Sequence, residues 1–367
     1  METININLPQ NGYNVFVGNG IFNQLLKIIK SHNLNKNLFF VIDENVYSLY
    51  SSQINLIISN YKGKVNLIKI VASEKLKSFK TMEKIYANLL ENDYSRDTLL
   101  IAIGGGIVGD ICGFVAATFS RGIQYVQIPT TLLSTVDSSV GGKTGINFGN
   151  TKNIIGAFNQ PNFVLIDVSF LKSLNHEELL SGLGEVVKYA YLTNIEFHNF
   201  IKRNFGKVFD NNPKIFTKII NESVKFKGDV VVSDEKETGN RKMLNLGHTF
   251  AHAFEVETKF KLKHGQAVIV GIASAIFLSF KISLITKSKM DELLELIYLF
   301  KDEINIGKIN FDNAISIMRR DKKNRDGKIK FVLIQDVGNI VLDVEASQDD
   351  VIYALESGIG VFKHWNI

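Results

Sequence analysis

The chain has 367 residues, of which 45% are hydrophobic and 22% are charged; this composition excludes a disordered protein, and the length exceeds one ordinary domain. Its net charge of +5 is spread along the chain, which argues against nucleic-acid binding but suits a small anionic substrate. The chain has one cysteine, Cys112, so an internal disulfide is excluded and a reducing compartment is expected. Cys112 lies in an apolar run, and we expect its side chain to be buried.

The first half of the chain alternates strand-like and helix-like segments. Short apolar runs predict buried strands at 39–43, 65–71, 98–103, 124–129 and 162–167. Amphipathic segments separate several of these runs. This alternation predicts a parallel sheet with helices on its faces.

From about residue 170 the apolar residues recur at helical spacing. This pattern predicts helices at 176–192, 213–231, 245–257, 265–285 and 289–300, and a small hairpin follows at 328–345. The sequence therefore predicts an α/β domain at 1–168 and a mostly α-helical domain at 169–367.

The sequence predicts no secretion signal and no membrane-spanning segment. The amino terminus lacks the basic and then apolar pattern of a secretion signal. The apolar run at 98–119 is interrupted by glycines and Asp110, and the run at 267–280 has 14 residues, too few to span a bilayer. We therefore expect a cytoplasmic protein without membrane partners.

A glycine turn follows the predicted strand at 98–103. Gly104, Gly106 and Gly109 satisfy G-x-G-x-x-G before an apolar helix, where glycines let backbone N–H groups approach a pyrophosphate. The acidic residue expected about 20 positions later is missing, and Asp43, at the end of another strand, is the nearest candidate. The turn is equally consistent with dinucleotide binding and with simple packing.

The stretch at 136–161, VDSSVGGKTGINFGNTKNIIGAFNQP, combines many glycines with Asp137, Lys143, Lys152 and Asn153. It is not a P-loop, because Asp137 stands where the first glycine of G-x-x-x-x-G-K-[ST] belongs. We predict a glycine-rich loop around a small ligand, in which lysines bind phosphate or carboxylate.

Three of the seven histidines lie close together, at His248, His252 and His264. His248 and His252 are spaced i, i+4 on a predicted helix, so they share one face, as two ligands of one metal would. Glu185, among small and apolar residues, is the best candidate for a carboxylate ligand. The alternative for Glu185 is a surface ion pair with Lys188, one turn later.

These segments resemble 3-dehydroquinate synthase over nearly the whole chain. In order, the motifs are GGGIVGDICGFVAATFSRGIQYVQIPTTLLSTVDSSVGGKTGINF, KNIIGAFNQP, GLGEVVKYA, LNLGHTFAHAFE and HGQAV. The resemblance implies a Rossmann-like NAD-binding domain followed by an α-helical metal-binding domain, in a homodimer. It also implies conversion of the phosphorylated sugar acid 3-deoxy-D-arabino-heptulosonate 7-phosphate (DAHP) into 3-dehydroquinate and phosphate in the shikimate pathway. NAD is recycled in that reaction, and Zn²⁺ or Co²⁺ is required.

The resemblance also implies residue roles. The metal ligands fall on Glu185, His248 and His264, so His252 becomes an active-site group instead of a ligand. The implied catalytic residues are Lys143, Lys188, Arg241, Asn245 and His252. The implied substrate contacts are Asp137, Lys143, Lys152, Asn153, Lys188, Lys227, Arg241, Asn245, His252, Lys322 and Lys323. The implied cofactor contacts are Asp43, Glu74, Lys77, Gly105, Gly106, Asp110, Thr130, Thr131, Leu133, Asp137, Lys143, Lys152, Phe170 and Ser173.

Two positions depart from the pattern of the family. Gln266 stands where glutamate is usual, and Phe148 stands where histidine is common. Neither change removes an implied ligand or catalytic group.

Three alternative functions remain. A metal- and NAD-dependent polyol dehydrogenase would release NADH, but a neutral polyol needs no lysine-rich loop. Another sugar-phosphate cyclase, making an inosose or a valiolone, would share the metal and NAD sites, and Lys152, Asn153 and His252 favour the shikimate reaction over it. A non-enzymatic NAD-binding regulator would not need three metal ligands.

Overall fold

The computed structural model describes residues 1–149, 151–320 and 328–362, which pack into two compact units. The first unit contains Met1–Asn175 and Asn211–Lys236, and the second contains His176–Asp210 and the described residues from Glu237 onward. Residues 211–236 therefore pack with the first unit, although they follow the start of the second in the chain. A division of function at residue 168 stays a prediction.

A seven-stranded sheet lies at the centre of the first unit. In chain order the strands of this unit are β1 (Glu2–Ile6), β2 (Tyr13–Gly18), β3 (Asn37–Asp43), β4 (Val65–Ile70), β5 (Thr98–Gly104), β6 (Gln124–Pro129), β7 (Lys143–Phe148), β8 (Thr151–Phe158) and β9 (Phe163–Asp167). The sheet order is β1-β2-β9-β6-β5-β3-β4, and β7 pairs with β8 in a separate hairpin. Only the pair β1–β2 is antiparallel among the described strands of the large sheet. The five predicted strands and their parallel arrangement are confirmed.

Helices occupy the segments in which apolar residues recur at helical spacing. Among the described residues they are α1 (Leu25–Ser31), α2 (Glu44–Ser59), α3 (Phe79–Glu91), α4 (Gly106–Thr118), α5 (His176–Leu192), α6 (Ile195–Val208), α7 (Pro213–Ser233), α8 (His248–Glu257), α9 (His264–Lys281), α10 (Lys287–Tyr298), α11 (Phe311–Arg320) and α12 (Gln348–Gly360). A small hairpin, β10 (Phe331–Asp336) and β11 (Asn339–Val344), completes the second unit. The five predicted helices and this hairpin are confirmed.

The large sheet is covered on both faces. Phe39 and Val41 of β3 pack with apolar side chains of α3 and α4, whereas Phe40 and Ile42 pack with those of α1 and α2. Successive side chains of a strand point to opposite faces, so a strand covered on both sides must be apolar throughout. This explains why β3 and β5 are continuous apolar runs.

Residues 136–161 are more regular than the sequence predicts. After a π-helical turn at Ser134–Ser138, strands β7 and β8 pair antiparallel, so the prediction of a glycine-rich loop is wrong here. Gly145 and Gly156 face each other across the hairpin, and a Cβ on Gly156 would lie 2.0 Å from the carbonyl oxygen of Thr144. The glycines therefore allow close strand packing.

The second unit is built around α9. This helix packs against α5, α8, α10 and α12, and its small residues let neighbouring backbones approach closely. By length and hydropathy α9 is the one described helix that could cross a membrane, but 72% of it is buried inside the protein. It therefore has the burial of a core helix.

Candidate functional site

Three predicted metal ligands converge in the second unit. Glu185 lies in the middle of α5, while His248 and His264 are the first residues of α8 and α9. One possible donor atom from each lies within 4.8 Å of the others, and they form the one such group among the described residues. The Nε2 atoms of His264 and His248 lie 3.1 Å and 3.4 Å from Oε1 of Glu185.

His252 lies beside this cluster and is not part of it. Its ring centroid is 5.7 Å from that of His248, in an edge-to-face arrangement. The group of converging donor atoms contains Glu185, His248 and His264 but not His252, so the geometry does not support the interpretation of His248 and His252 as two ligands of one metal, which was drawn from their spacing alone.

Glycines beside the three residues bring their helices together. A Cβ on Gly184, next to Glu185, would lie 2.1 Å from the carbonyl oxygen of Gly265, next to His264. A Cβ on Gly265 would in turn lie 1.7 Å from the carbonyl oxygen of Ser181. Gly247, just before His248, has φ +76°, and a Cβ on Gly271 of α9 would lie 2.2 Å from its carbonyl oxygen. Side chains at these glycines would force the helices, and hence the three donor groups, apart.

Buried charges set the electrostatics of the cluster. Burial alone would raise the pKa of Glu185, but an ion pair with Lys188 and hydrogen bonds from His248 and His264 hold that pKa well below its usual value. Burial lowers the pKa of His248 to about 4. Burial acts the same way on His264, but Glu185 and Glu255 outweigh it and raise its pKa to about 10. An imidazole binds a metal ion in its neutral form.

These donors suit zinc or cobalt. One carboxylate and two imidazoles are a common protein ligand set for catalytic zinc, and three protein ligands leave a position for substrate. Glu185 is completely buried, where a carboxylate is stable only beside cationic groups, and Lys188 already pairs with its second oxygen. The residues present therefore fit a divalent metal ion.

Gln266 has a structural role at the same place. Its side-chain oxygen accepts a hydrogen bond of 3.0 Å from the backbone N–H of Lys263, which caps the start of α9 directly before His264. Glutamine serves as well as glutamate at this capping position, so the departure from the family pattern preserves the cap. The other departure, Phe148, is 61% exposed and packs edge-to-face on Phe79.

Other predicted site residues of the second unit lie in its interior. Lys188 and Arg241 are both 2% exposed, which is unusual for their residue types. Asn245 donates a hydrogen bond of 2.9 Å from Nδ2 to Oε1 of Glu237. The sequence does not single out Glu237, because it lies in a bend outside any helix, where spacing from Asn245 carries no signal. Lys322 and Lys323 lie outside the described residues.

The glycine turn of the first unit meets Asp43 at the carboxyl ends of neighbouring strands. Gly104 ends β5 and Asp43 ends β3, and a Cβ on Gly104 would lie 3.3 Å from Cβ of Asp43. Asp43 is thus next to the turn in space, as the acidic residue of a dinucleotide site is, although it precedes the turn in sequence. Gly105 caps α4, so backbone N–H groups of the first helical turn are available to an anion.

The segment after β6 lies against the same turn. The backbone N–H of Thr130 donates to the carbonyl oxygen of Gly104 at 3.0 Å, and Cβ atoms on Gly105 and Gly106 would meet Thr131 and Ser138. The hydroxyls of Thr130 and Ser138 are buried and have no hydrogen-bond partner in the described part of the chain. Such groups fit a polar ligand seated on the glycine turn.

Several predicted cofactor and substrate contacts form one polar cluster. Nζ of Lys77 lies 2.5 Å from Oδ2 of Asp110 and also contacts Oδ1 of Asn153. Burial raises the pKa of Asp110, although Lys77 acts against this. Lys77 is 4% exposed, so its charge is held inside the protein by these partners.

Asp137 and Lys227 form a second polar pair. Nζ of Lys227, on α7, lies 2.9 Å from Oδ1 of Asp137 and 2.6 Å from its carbonyl oxygen. This pair and the packing of α7 on β1 explain why residues 211–236 belong to the first unit.

The remaining predicted contacts differ in exposure. Lys143 is exposed at the start of β7, while Lys152 and Leu133 are half-buried. Phe170 is 1% exposed and packs on Phe22 and Tyr50 in the core, and the hydroxyl of Ser173 donates to its carbonyl oxygen. The functional roles of these residues stay predictions.

Comparisons with known proteins agree with the sequence motifs. A family model described as 3-dehydroquinate synthase N-terminal matches residues 67–181, and one described as 3-dehydroquinate synthase C-terminal matches residues 182–324. The 3-dehydroquinate synthase of Pelagibacter ubique is 38% identical over 360 residues, covering 95% of this chain and 96% of that protein. The 3-dehydroquinate synthase of Dictyoglomus thermophilum is 36% identical over 365 residues, covering 99% and 100%.

Solved structures share the fold. A 2-deoxy-scyllo-inosose synthase complexed with carbaglucose-6-phosphate, NAD⁺ and Co²⁺ has a TM-score of 0.84 at 20% identity, over 97% of this chain and 100% of that one. A 2-epi-5-epi-valiolone synthase from Streptomyces hygroscopicus with NAD⁺ and Zn²⁺ bound has a TM-score of 0.85 at 24% identity, over 96% and 98%. An iron-containing alcohol dehydrogenase is less similar, with a TM-score of 0.65 at 17% identity, over 97% and 99%. At these identities the likeness is one of fold.

Proposed function

Because the chain belongs to the 3-dehydroquinate synthase family, we propose that it converts DAHP into 3-dehydroquinate and inorganic phosphate. It is then a carbon–oxygen lyase of the shikimate pathway, which uses NAD and a divalent metal and returns the NAD unchanged. The observation that carries the proposal is the convergence of Glu185, His248 and His264 in a chain that also has a glycine turn at the carboxyl end of a parallel sheet.

Two groups of residues would hold the cofactors. Glu185, His248 and His264 would bind Zn²⁺ or Co²⁺, and the turn at 104–109 with Asp43 would bind the pyrophosphate and a ribose of NAD. When bound, NAD supplies a transient oxidation of a substrate hydroxyl, and the metal supplies Lewis acidity that lowers hydroxyl pKa values.

Basic residues would bind the anionic substrate. We assign recognition of its phosphate and carboxylate to Lys143, Lys152, Lys188 and Arg241, because basic side chains form charge-assisted hydrogen bonds with these anions. Lys188 and Arg241 are buried, so their charges are weakly screened by bulk solvent, which strengthens their attraction for an anion. Lys322 and Lys323 remain candidates for a further phosphate contact.

The remaining polar residues would orient groups and move protons. Lys227 holds Asp137 in place, and Glu237 orients the amide of Asn245, so both polar groups present fixed atoms to a substrate. His252, beside His248, is a candidate for holding a proton next to the reacting carbon. The substrate's own phosphate oxygen can accept that proton, so the chain needs no strongly basic carboxylate there.

The cellular setting is also proposed from the family. The family is soluble and biosynthetic, and we infer a cytoplasmic location for this chain. A homodimer is the expected assembly. The substrate class, a phosphorylated sugar acid, follows from the reaction, and nucleic acid and membrane are not expected partners.

The direct test compares substrates in one assay. Purified protein with Zn²⁺ and NAD is given DAHP, a hexose 6-phosphate or a neutral polyol, and products are identified by mass spectrometry. The proposal predicts 3-dehydroquinate and phosphate from DAHP alone. A cyclic product from the hexose phosphate would indicate the inosose type of cyclase, and accumulation of NADH with the polyol would indicate a dehydrogenase. Glu185→Gln serves as the control, since it should abolish activity on any of them.

A further inference from the structure

Asn147 joins three segments of the first unit through hydrogen bonds. Its backbone N–H donates to the carbonyl oxygen of Lys77 at 2.9 Å. Its Nδ2 donates to Oε1 of Glu74 at 2.7 Å and to the carbonyl oxygen of Glu74 at 3.0 Å. Its Oδ1 accepts from the backbone N–H of Asn153 at 2.8 Å. Both polar atoms of the side chain are therefore used, and each contacts a different segment.

A break in the β7–β8 pairing makes these contacts possible. The register of the hairpin shifts between Ile146 and Phe148, so Asn147 lies at an irregularity of the ladder. Such a bulge frees a backbone N–H from the partner strand and redirects a side chain. The freed N–H of Asn147 is the one that binds Lys77.

Asn153 depends on the same arrangement. It has φ +50°, a left-handed conformation that costs a non-glycine residue free energy unless its surroundings hold it. Two contacts hold it: its N–H donates to Asn147, and its side-chain oxygen contacts Nζ of Lys77. Lys77 also binds Asp110, in the first turns of the helix that follows the glycine turn. Asn147 therefore contacts Glu74, Lys77 and Asn153, and Lys77 and Asn153 also contact each other.

We propose that Asn147 is a positioning residue that couples the two ligand sites. This inference rests on the proposed function and on the contacts that the family resemblance implies, namely NAD contacts at Glu74, Lys77 and Asp110 and a substrate contact at Asn153. When NAD fixes the segment at 74–77, the hydrogen bonds of Asn147 also fix Asn153 for the substrate. Because coupling between two binding sites is reciprocal, bound substrate must then raise the affinity for NAD by the same factor. Asn147 itself need touch neither ligand.

Asn147→Asp isolates this role. The aspartate has almost the same shape and can still accept from the N–H of Asn153, but it places an oxygen where Nδ2 donates to the Glu74 carboxylate. We expect affinity for NAD to fall on the order of 10- to 100-fold, the range for loss of a hydrogen bond to a charged group. Thr151→Ala is the matched control, since Thr151 is exposed on β8 opposite Phe148.

The deciding readout is coupling, which a merely structural residue would not change. The dissociation constant of NAD is measured with and without a phosphonate analogue of DAHP, in which carbon replaces the bridging oxygen so that phosphate cannot leave. In the parent protein and Thr151→Ala the analogue should tighten NAD binding by the same factor. In Asn147→Asp that factor should approach one. An unchanged factor in the variant, or a factor of one in the parent, would overturn the proposal.

A second variant guards against simple misfolding. Glu74→Gln offers an amide donor to the carboxylate that Asn147→Asp introduces, so Asn147→Asp should weaken NAD binding less in the Glu74→Gln background than in the parent. Equal losses in the two backgrounds would also overturn the proposal. Activity on DAHP is measured alongside: a parent without activity contradicts the proposed function, whereas an active parent with unchanged coupling in Asn147→Asp contradicts this inference alone.

Discussion

Replacement of Gly184 by alanine tests whether glycine packing sets the geometry of the metal ligands. The added Cβ would lie 2.1 Å from the carbonyl oxygen of Gly265, whereas ordinary contact begins at 3.4 Å, so α5 and α9 must separate by about 1.3 Å. Metal–ligand distances tolerate changes of only about 0.2 Å. Overpacking of this kind also costs about 1–3 kcal/mol of stability.

We therefore expect Gly184→Ala to lose zinc affinity by at least about 10- to 100-fold, the range seen when the support of a ligand is removed. Zinc affinity is measured by competition with a chelator of known affinity, and stability by thermal unfolding with and without zinc. The variant should unfold at a lower temperature and should gain less from added zinc than the parent protein does.

Gly206→Ala is the matched control in the same unit. Gly206 lies on α6, and a Cβ there would meet nothing within 4 Å. Alanine at this helical position should stabilise the protein by about 0.5–1 kcal/mol and leave zinc affinity unchanged. Zinc binding by Gly184→Ala that is as tight as zinc binding by Gly206→Ala would refute this role of Gly184.

Three further predictions use single side chains. Lys227→Met removes the buried partner of Asp137 and should lower the free energy of unfolding, measured in urea titrations, by about 1–3 kcal/mol. The same change should cost less when it is made in an Asp137→Asn protein, and equal losses in both backgrounds would refute the pairing. Burial lowers the pKa of His198, so below about pH 6.5 this histidine binds a proton in the unfolded state before it does in the folded state, and the free energy of unfolding should fall as the pH falls. His198→Phe should flatten this pH dependence, and an unchanged slope would contradict the role of His198. Cys112 is fully buried and burial raises its pKa, so a thiol reagent should label it only after unfolding; rapid labelling of the native protein would contradict its burial.

The parts of the fold that depend on local pattern could be predicted from the sequence. Parallel strands buried on both faces are continuous apolar runs, which is why 39–43 and 98–103 stand out. Helices with one apolar stripe or an apolar interior show the helical period, and the prediction at 176–192 coincides with α5. These signals lie within one element and need no knowledge of its neighbours.

Features that depend on long-range pairing could not be derived in this way. Spacing alone pairs His248 with His252, whereas the cluster joins Glu185 to His248 and His264. The apolar surroundings of Glu185 indicate it as a ligand, but only the family resemblance indicates the full set of three. The hairpin at 143–158 was missed because its glycines resemble loop residues until they are seen to face each other. Asn147 carried no signal of its own, since its partners at 74–77 lie about seventy positions away.

We expect NAD to be recycled within each turnover of a metal-dependent cyclase. The measurement is phosphate released from DAHP with NAD far below one equivalent per substrate, before chelation, after it, and after zinc or cobalt is restored. We expect many phosphates per NAD, no net NADH, loss of activity on chelation and recovery with metal. Phosphate release limited to one per NAD, or release that is unaffected by chelation, would contradict this expectation.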